Sequence, residues 1–347
     1  MRGRTRPLQA GWSPLVLWTL SIALLGALMV GALAVAGPAE AQARKDEVTL
    51  RASWLFAGYD VPYFVARHKG YYEEAGLAVQ LQEGRGSVLT MQLIANKSNT
   101  FGIVDGAVLA IGVERGMPVR MVAGVMQRSP AAILVLEASG IRSPKEMAGK
   151  IAGLVPGSNT TLLFPVFLEQ NGVRPDAVTV INVDPPSKER LFRQGRYQLT
   201  SGLLNYEVPA LELAGEKVRA FLYADHGVNT VSLGLIAHAD TIRERPDLVR
   251  RFVTASMRGW AYARANPEEA VESVLASLSG KGRELSLRQL KMTFDLLQTE
   301  ATRGKPLGWM AREDWEKTQG LLLKAGAMKQ AQPVERFYTN EFVPPGP

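Results

Sequence analysis

Residues 70–87, GYYEEAGLAVQLQEGRGS, contain the alternation of elements that decides the fold. A helix-like segment ends at Gly76, the apolar run LAVQL follows as a strand, and the turn Gly84-Arg85-Gly86-Ser87 leads into a second helical pattern. Glycine-rich turns between a strand and a helix collect backbone N–H groups that can face an anionic ligand. The turn is therefore either one wall of a ligand site or a simple connection, and the rest of the chain has to separate the two.

The same alternation continues on both sides of this stretch. Short apolar runs predict strands, and amphipathic segments between them predict helices, one of which has Ser87 as its N-cap. A βαβα rhythm of this kind predicts a mostly parallel sheet with helices on both faces. The strands are VTLRASWL (48–55), LAVQLQE (77–83), TFGIV (100–104) and PVRMVAGVM (118–126), and the helices are PYFVARHKGYYEEAG (62–76) and SVLTMQLIANK (87–97).

A second α/β unit begins near Ser139. The stretch SPKE (143–146) matches a capping box, with Ser143 as cap and Glu146 three residues on. The strands predicted after it are IAGLV (151–155), TVINV (179–183), YQLTSGL (197–203) and VRAFLYA (218–224).

Two further apolar strands, AAILVLE (131–137) and NTVSLGLIAH (229–238), lie between these units, and from Asp240 onward the pattern is almost entirely helical. We predict an α/β protein of two lobes, each a mostly parallel sheet flanked by helices, joined by two crossover strands. Ligand sites in such sheets lie at the carboxyl ends of strands and in clefts between domains. The predicted division is 44–135 for the first part of lobe 1, 136–228 for lobe 2, and 229–347 for a return strand and helical remainder that packs on lobe 1.

The N-terminus carries a targeting pattern. Three arginines precede a long apolar stretch, and the small-x-small motif Ala41-Gln42-Ala43 follows it. Residues 1–43 are therefore predicted to be a signal peptide cleaved after Ala43, and the protein is predicted to be periplasmic. A retained N-terminal anchor is the alternative, since the stretch is about long enough to span a bilayer. With no cysteine, the chain has no acceptor for a lipid and no disulfide framework.

The remaining composition excludes several function classes. The formal net charge is +7 over 347 residues, without a basic run interleaved with aromatic residues, so nucleic-acid binding is not expected. Only three histidines occur, His68, His226 and His238, and no two have metal-ligand spacing. The motifs HExxH, GxSxG and GxxxxGK[ST] are absent. We expect no metal, no cofactor and no catalysis.

Candidate cleft residues stand where predicted strands end. In lobe 1, Trp54 is either a stacking surface for a flat ligand or a core residue, and Asp60 and Asp105 either face the cleft or cap helices. In lobe 2, Gly157 to Thr160 offer hydroxyl and N–H groups at a helix start, and Asn205, Tyr206 and Glu207 follow a strand.

Acidic side chains outnumber basic ones at these strand ends. Asp60, Asp105, Glu207 and Asp225 are acidic, whereas Arg85 is the one basic residue near the turns. A site for a simple oxyanion needs more donors and fewer carboxylates. This balance favours a ligand with amino or ring N–H donors.

The chain resembles the periplasmic substrate-binding proteins of ABC importers. The resemblance rests on HKGYYEEAGLAVQL (68–81), on FGIVDG to VPGS (101–158) and on PDLVRRFVTASMRGWAYARANPEEAV (246–271). The group it is most similar to binds thiamine-pyrimidine precursors, and its relatives bind sulfonates, taurine or nitrate. The resemblance implies a hinged, monomeric receptor that captures a small molecule and delivers it to an ABC permease in the inner membrane.

The resemblance also implies the ligand class and the pocket. We expect a heteroaromatic, pyrimidine-precursor-like ligand, with a sulfonate-, taurine- or nitrate-type anion as the alternative. One branch of the family builds the pyrimidine and carries a cysteine-rich iron site, which this chain lacks; a membrane-anchored sensor subunit is a third reading. The predicted ligand-binding residues are Trp54, Asp60, Tyr63, Gly86, Ser87, Asp105, Ser129, Ser158, Asn159, Thr160, Asn205, Glu207 and Asp225.

Overall fold

The computed structural model describes residues 45–156, 158–278 and 282–346. The predicted signal peptide, residues 1–43, and Gly157 of the predicted helix start lie outside this range. Within it, no helix combines the length and the apolar character needed to cross a membrane.

The first sheet has five strands in the order β2-β1-β3-β10-β4. Strands β1 to β4 run parallel to one another, and β10 lies antiparallel between β3 and β4. Continuous apolar runs such as Val119–Gly124 form strands here because helices cover both faces of a parallel sheet. The strands are β1 (Asp46–Arg51), β2 (Leu77–Gln82), β3 (Phe101–Asp105), β4 (Val119–Gly124) and β10 (Leu233–His238).

The second sheet repeats this design. Its order is β7-β6-β8-β5-β9, with β6, β7 and β8 parallel and β5 antiparallel between β8 and β9. The predicted α/β fold of two mostly parallel sheets is confirmed. The strands are β5 (Ala131–Leu136), β6 (Ile151–Leu154), β7 (Thr179–Asn182), β8 (Leu199–Leu203) and β9 (Val218–Leu222).

The two antiparallel strands are the ones that the sequence indicated as crossovers. Strand β5 follows the first four strands of lobe 1 but belongs to the second sheet, and β10 follows lobe 2 but belongs to the first. The chain therefore changes sheet between Gly124 and Ala131, a few residues before the predicted boundary at 135/136, and returns between Leu222 and Leu233. We call 125–130 and 223–232 the connecting segments.

Helices flank each sheet, and two predicted boundaries differ from the observed ones. The segment predicted as one helix over 62–76 is two helices, because Gly70 has a left-handed φ of 75° that ends the first. The cap of the helix after β2 is Gly86 and not Ser87. The lobe helices are α1 (Val61–His68), α2 (Tyr71–Glu74), α3 (Ser87–Ala95), α4 (Gly106–Glu114), α5 (Asn159–Gln170), α6 (Pro185–Arg193) and α7 (Glu207–Leu213).

The C-terminal helices pack back on lobe 1. The ring of Phe252 stacks on Phe101 of β3 at a centroid distance of 3.9 Å and on Tyr72 at 5.6 Å. These three rings are buried, so this helical layer supplies much of the core beneath the first sheet. The helices are α8 (Ala239–Glu244), α9 (Pro246–Ala265), α10 (Pro267–Val274), α11 (Arg283–Phe294) and α12 (Arg312–Lys324).

The close approach of α9 to α1 gives a first testable prediction. A Cβ atom at Gly259 would lie 2.2 Å from the carbonyl oxygen of Pro62, whereas one at Gly320 in α12 would meet nothing within 4 Å. Gly259→Ala should therefore lower the free energy of unfolding by about 1–3 kcal/mol, because the helices must separate. Gly320→Ala should raise it by up to about 1 kcal/mol from helix propensity. Urea unfolding of both variants checks this. Changes of the same sign in the free energy of unfolding would contradict the close packing at Gly259.

Candidate functional site

The glycine turn after β2 is tied to the loop after β1. The N–H of Gly84 donates to the carbonyl of Trp54 at 2.9 Å, and the N–H of Gly86 donates to the carbonyl of Ser53 at 2.7 Å. The N–H of Phe56 donates to Oε1 of Glu83 at 3.0 Å. Two amides of the turn are thus already used within the protein, and a phosphate loop would need them free.

Exposed apolar side chains stand on the loop after β1 and on the first turn of α3, which follows the glycine turn. Trp54 is 40% exposed and Val88 is 53% exposed, with Leu55 and Leu89 similarly open. The core alternative for Trp54 is therefore wrong. We call Trp54, Leu55, Val88 and Leu89 the Trp54 patch. A partly exposed indole at the carboxyl end of a strand offers a flat apolar surface to a ligand.

Asp105 closes the end of β3 and caps α4. Its Oδ1 accepts hydrogen bonds from the N–H groups of Ala107 at 3.0 Å and Val108 at 3.3 Å, which confirms the capping role. Its Oδ2 accepts from the hydroxyl of Ser232 at 3.2 Å. Its own N–H donates to Oγ of Ser87 at 3.1 Å. Ser87 therefore supports Asp105 instead of capping α3.

The same carboxylate meets lobe 2. The side-chain amide of Asn159, the first residue of α5, donates to Oδ1 of Asp105 at 3.4 Å. Ser158 is the N-cap of α5 and accepts from the N–H of Thr161 at 3.1 Å, as predicted for a helix start. Asp105 thus lies at the N-terminus of α4 and beside that of α5, where helix dipoles favour a negative charge.

Asn159 carries an unsatisfied acceptor beside this contact. Its Oδ1 is buried and has no hydrogen-bond partner among the described residues. A buried acceptor without a partner costs about 1–3 kcal/mol, so a donor placed there gains correspondingly.

Burial shifts the titration of the central carboxylate. Removal of Asp105 from water raises its pKa to about 6, and the hydrogen bonds from Val108, Ser232 and Ala107 offset this only in part.

The three other acidic candidates have partners within the protein. Glu207 accepts from Nζ of Lys188 at 2.8 Å and from the N–H of Leu203 at 2.7 Å. Asp225 forms an ion pair with Arg128 of the first connecting segment.

Asp60 is buried in lobe 1 and accepts from the N–H of Ala57 at 2.9 Å. Asp105, in contrast, contacts the facing lobe through Asn159, the first residue of α5.

Tyr63 packs inside lobe 1. It is 2% exposed and meets the ring of Trp260 edge-on at a centroid distance of 5.9 Å. With Asp60 it lines a cavity of about 10 Å³, which is room for one water molecule at most. Both were predicted to bind ligand, and in this arrangement neither presents a surface to one. The physical reason is that the first turn of α1 and the residue before it are packed inside lobe 1, where both side chains are buried.

Other predicted residues lie at or near the connecting segments. The N–H of Ser129 donates to Oδ1 of Asn229, so that the two segments are tied together at 2.9 Å. Asn205 is buried and donates to Oγ1 of Thr293 at 2.8 Å, while its own Oδ1 has no partner among the described residues. Thr160 is also buried, and its carbonyl accepts from the hydroxyl of Tyr223 at 2.9 Å.

Several contacts between the lobes could not be anticipated from the sequence. The rings of Tyr59 and Tyr206 lie in a tilted arrangement with their centroids 6.2 Å apart. Gln289 of α11 contacts the backbones of Gly58 and Tyr206, one in each lobe. Nothing in the pattern of α11 distinguishes this glutamine from a solvated one.

A groove of about 620 Å³ opens beside the connecting segments. Its lining mixes basic and acidic groups, among them Arg128, Lys317, Glu300 and Glu313. It lies where the two connecting segments, which contribute Arg128, Ala224 and Asn229, meet the C-terminal region.

The three histidines lie on different elements of the fold. His68 is exposed on α1. Nδ1 of His226 lies 3.0 Å from Oδ1 of Asn171, and Nδ1 of His238 caps α8 by accepting from the N–H of Asp240 at 2.9 Å. In the described part of the chain, no cluster of histidine, cysteine, aspartate or glutamate could hold a metal ion.

Two lobes that meet at the carboxyl ends of their strands and are joined by two connecting segments define the periplasmic-binding-protein fold. The chain belongs to the NMT1/THI5-like family, whose model matches residues 58–270.

Two relatives match most of the chain in sequence, and a solved structure has the same fold. The riboflavin-binding protein RibY of Chloroflexus aurantiacus is 28% identical over 319 residues, with 90% of each chain covered. A 4-amino-5-hydroxymethyl-2-methylpyrimidine phosphate synthase of Legionella pneumophila is 24% identical, with 87% of this chain and 94% of that protein covered. The periplasmic aliphatic sulphonate-binding protein SsuA of Escherichia coli has the same fold, with a TM-score of 0.68, 14% identity, and coverage of 84% of this chain and 91% of that one.

The raised pKa of Asp105 predicts a pH dependence of stability. A carboxyl whose pKa is higher in the folded state than in the unfolded state binds its proton more tightly when folded, so the free energy of unfolding falls as pH rises from about 4 to about 6. Asp105→Asn removes this loss. Relative to the parent, the variant should gain about 1–3 kcal/mol between pH 4.5 and pH 8, measured by urea unfolding.

Asp240→Asn is the control for that experiment. Hydrogen bonds from Lys97 and Arg243 lower the pKa of Asp240 to about 2, so its contribution is complete above about pH 4 and disappears only as pH falls further. Its stability profile should run nearly parallel to that of the parent above pH 5. A parallel profile for Asp105→Asn as well would show that Asp105 titrates normally.

Proposed function

We propose that this protein is an extracytoplasmic solute-binding receptor that captures a small heteroaromatic molecule with N–H donors between its lobes. The observation that carries this proposal is the pair of acceptors at the lobe contact, the Asp105 carboxylate and the unsatisfied Oδ1 of Asn159. Acceptors in lobe 1 and lobe 2 that converge on one place match a ligand that donates to both. A closed arrangement is then favoured by ligand contacts with both lobes.

The Trp54 patch supports the aromatic part of the ligand. Its indole is exposed at the carboxyl end of β1, and stacking on a flat ring adds to the burial of apolar area. The names of the relatives agree with a planar nitrogen heterocycle, since one is called a riboflavin-binding protein and another a pyrimidine phosphate synthase. A flavin and an aminopyrimidine both carry a ring system and N–H groups, and a titration distinguishes them.

An anion of the sulfonate type is the alternative ligand, supported by the fold shared with SsuA. Two features of the site argue against it. The amides of Gly84 and Gly86 are used by the backbone of the neighbouring loop. The position beside the N-terminus of α5, where an anion would be stabilised, is already occupied by the charge of Asp105.

A pyrimidine-forming enzyme is the candidate of another class, and the relatives named as synthases are what favours it. Such an activity needs reactive side chains gathered at one place. His68 and His226 stand on different lobes, and His226 lies beside Asn171 and the ring of Phe167. Incubation of the purified chain with iron and pyridoxal phosphate should give no pyrimidine product, and product formation would replace the receptor proposal.

The proposed partner is an inner-membrane ABC permease, and the proposed compartment is the periplasm. Expression of the full chain in a Gram-negative host should yield a mature protein that begins at Arg44, determined by intact-mass measurement of the periplasmic fraction. A mature chain that begins at Met1 and sediments with membranes would support the anchored sensor instead.

Ligand binding itself is tested by calorimetric and fluorescence titration of the chain from Arg44, refolded to remove retained ligand. The panel consists of riboflavin, aminopyrimidines, aliphatic sulfonates, taurine and nitrate. Binding of a flavin or an aminopyrimidine supports the proposal. Binding of the anions alone would contradict the heteroaromatic ligand and support the alternative, a receptor for a sulfonate-type anion.

Trp54→Ala should weaken binding of the heteroaromatic ligand by about 1–3 kcal/mol, because stacking and apolar burial are lost. Val180→Ala is the matched control: Val180 is 48% exposed on the edge strand β7 of lobe 2, so its truncation should leave affinity unchanged. Equal affinities of Trp54→Ala and the parent would remove Trp54 from the binding site.

A further inference from the structure

Helix α11 packs against both lobes. On one side Leu290 belongs to an apolar cluster with Val61 and Phe64 of α1 in lobe 1. On the other side Met292 packs against the core of lobe 2, which includes Phe192 and Leu134. Because the helix is anchored in lobe 1, its contacts with lobe 2 depend on how the lobes are placed relative to each other.

Gln289 makes one polar contact in each direction from this helix. Its Oε1 accepts from the N–H of Gly58 in lobe 1 at 2.9 Å, and its Nε2 donates to the carbonyl of Tyr206 in lobe 2 at 3.3 Å. The side chain is 1% exposed, so water does not compete for either bond. The bond to Gly58 fixes the direction of the amide group, and the second bond therefore forms only when Tyr206 lies at the matching position.

Thr293, one helical turn after Gln289, also contacts lobe 2. Its partner there is Asn205, the residue before Tyr206. Oγ1 of Thr293 accepts from Nδ2 of Asn205 at 2.8 Å and donates to the carbonyl of Gln289 at 2.7 Å. Two successive residues of lobe 2 are therefore held by two residues of α11 spaced four apart. Neither residue of α11 is required for helix formation, and both side chains are fully buried.

The distance between Gln289 and Tyr206 makes this contact sensitive to lobe movement. An N–H···O bond at 3.3 Å is near the long end of the normal range, and an increase of about 1 Å abolishes it. A domain rotation that opens the cleft moves Tyr206 with lobe 2 while Gly58 stays with α11. The arrangement of the lobes and the bond to Tyr206 are thus coupled.

We propose that Gln289 is a positioning residue that sets the fraction of the ligand-free protein with closed lobes. Its amide connects lobe 1 and lobe 2 through α11 and stabilises the arrangement in which Asp105 and Asn159 meet. A receptor whose binding-competent state is less populated binds its ligand more weakly by the same factor. This effect on affinity rests on the function proposed above, whereas the effect on lobe closure does not.

The decisive variant is Gln289→Glu. It keeps an acceptor for the N–H of Gly58 and replaces the donor to Tyr206 by an oxygen that repels the carbonyl. Gln319→Glu is the matched control. Like Gln289, Gln319 accepts from one backbone N–H and donates to one backbone carbonyl, but both groups belong to Gln332 in the C-terminal segment. Gln289→Met removes the donor to Tyr206, and Thr293→Val removes the hydroxyl that contacts Asn205. Both changes leave the shape of the side chain nearly the same.

Lobe closure is measured without ligand by pulsed electron resonance between spin labels on cysteines introduced at Ser98 in lobe 1 and Glu189 in lobe 2. Both positions are exposed, and the chain has no cysteine of its own, so the labels are specific. The parent and Gln319→Glu should give one shared distance distribution. Gln289→Glu and Gln289→Met should give an additional, more open population, and Thr293→Val should change it in the same direction.

Distributions of folded Gln289→Glu and Gln289→Met that match the parent would overturn the proposal. Folding is checked by thermal melting, and Thr293→Val decides the matter where a Gln289 variant does not fold. Affinity for the ligand found in the titration panel should fall about 3- to 10-fold in Gln289→Glu, mainly through faster dissociation, as the loss of one hydrogen bond to closure implies. If no ligand in the panel binds the parent, the proposed function fails while the distance measurement still tests Gln289.

Discussion

The constraint on which the rest of the structure depends is that the chain crosses twice between two sheets. Each crossing leaves its strand, β5 or β10, antiparallel inside the sheet that it enters. The two short connecting segments are therefore continuous with strands inside both sheets, so they tie the lobes together while leaving their relative orientation to the contacts between them. A parallel sheet gathers loops and helix N-termini at the carboxyl ends of its strands. Two such edges brought together by two connections produce a cleft, whatever side chains line it.

Asp105 shows how this geometry creates a binding environment. It ends β3, caps α4, accepts from Ser232 at the end of the second connecting segment, and meets Asn159 at the start of α5. A single carboxylate thus forms hydrogen bonds with both lobes and with one connecting segment. Its burial, which raises its pKa to about 6, is the energetic cost of this position.

The sequence predicted the architecture well and the side-chain environment less well. Buried parallel strands read as continuous apolar runs, and the two crossover strands were visible for the same reason. The sheet to which β5 belongs was not readable, because an antiparallel strand in the middle of a sheet has the same apolar pattern. The environments of Glu207, Asp225 and Tyr63 depend on Lys188, Arg128 and Trp260, which are distant in sequence. Side-chain contacts between residues distant in sequence leave no local sequence pattern. In addition, helix capping, ion pairing and ligand binding all favour the same polar residue types at strand ends.

Two of the polar contacts between the lobes are long, and this bears on how the protein works. The bonds from Asn159 to Asp105 and from Gln289 to Tyr206 are 3.4 Å and 3.3 Å long, and Oδ1 of both Asn159 and Asn205 is buried without a partner among the described residues. A buried acceptor without a partner costs about 1–3 kcal/mol, whereas one hydrogen bond contributes about 0.5–1.5 kcal/mol. Because these costs and gains are of similar size, we expect both an open and a closed arrangement of the lobes to be accessible. A ligand that donates to the unsatisfied acceptor of Asn159 then needs only a small differential affinity to shift the population toward closure, because the open and closed arrangements differ little in free energy without it.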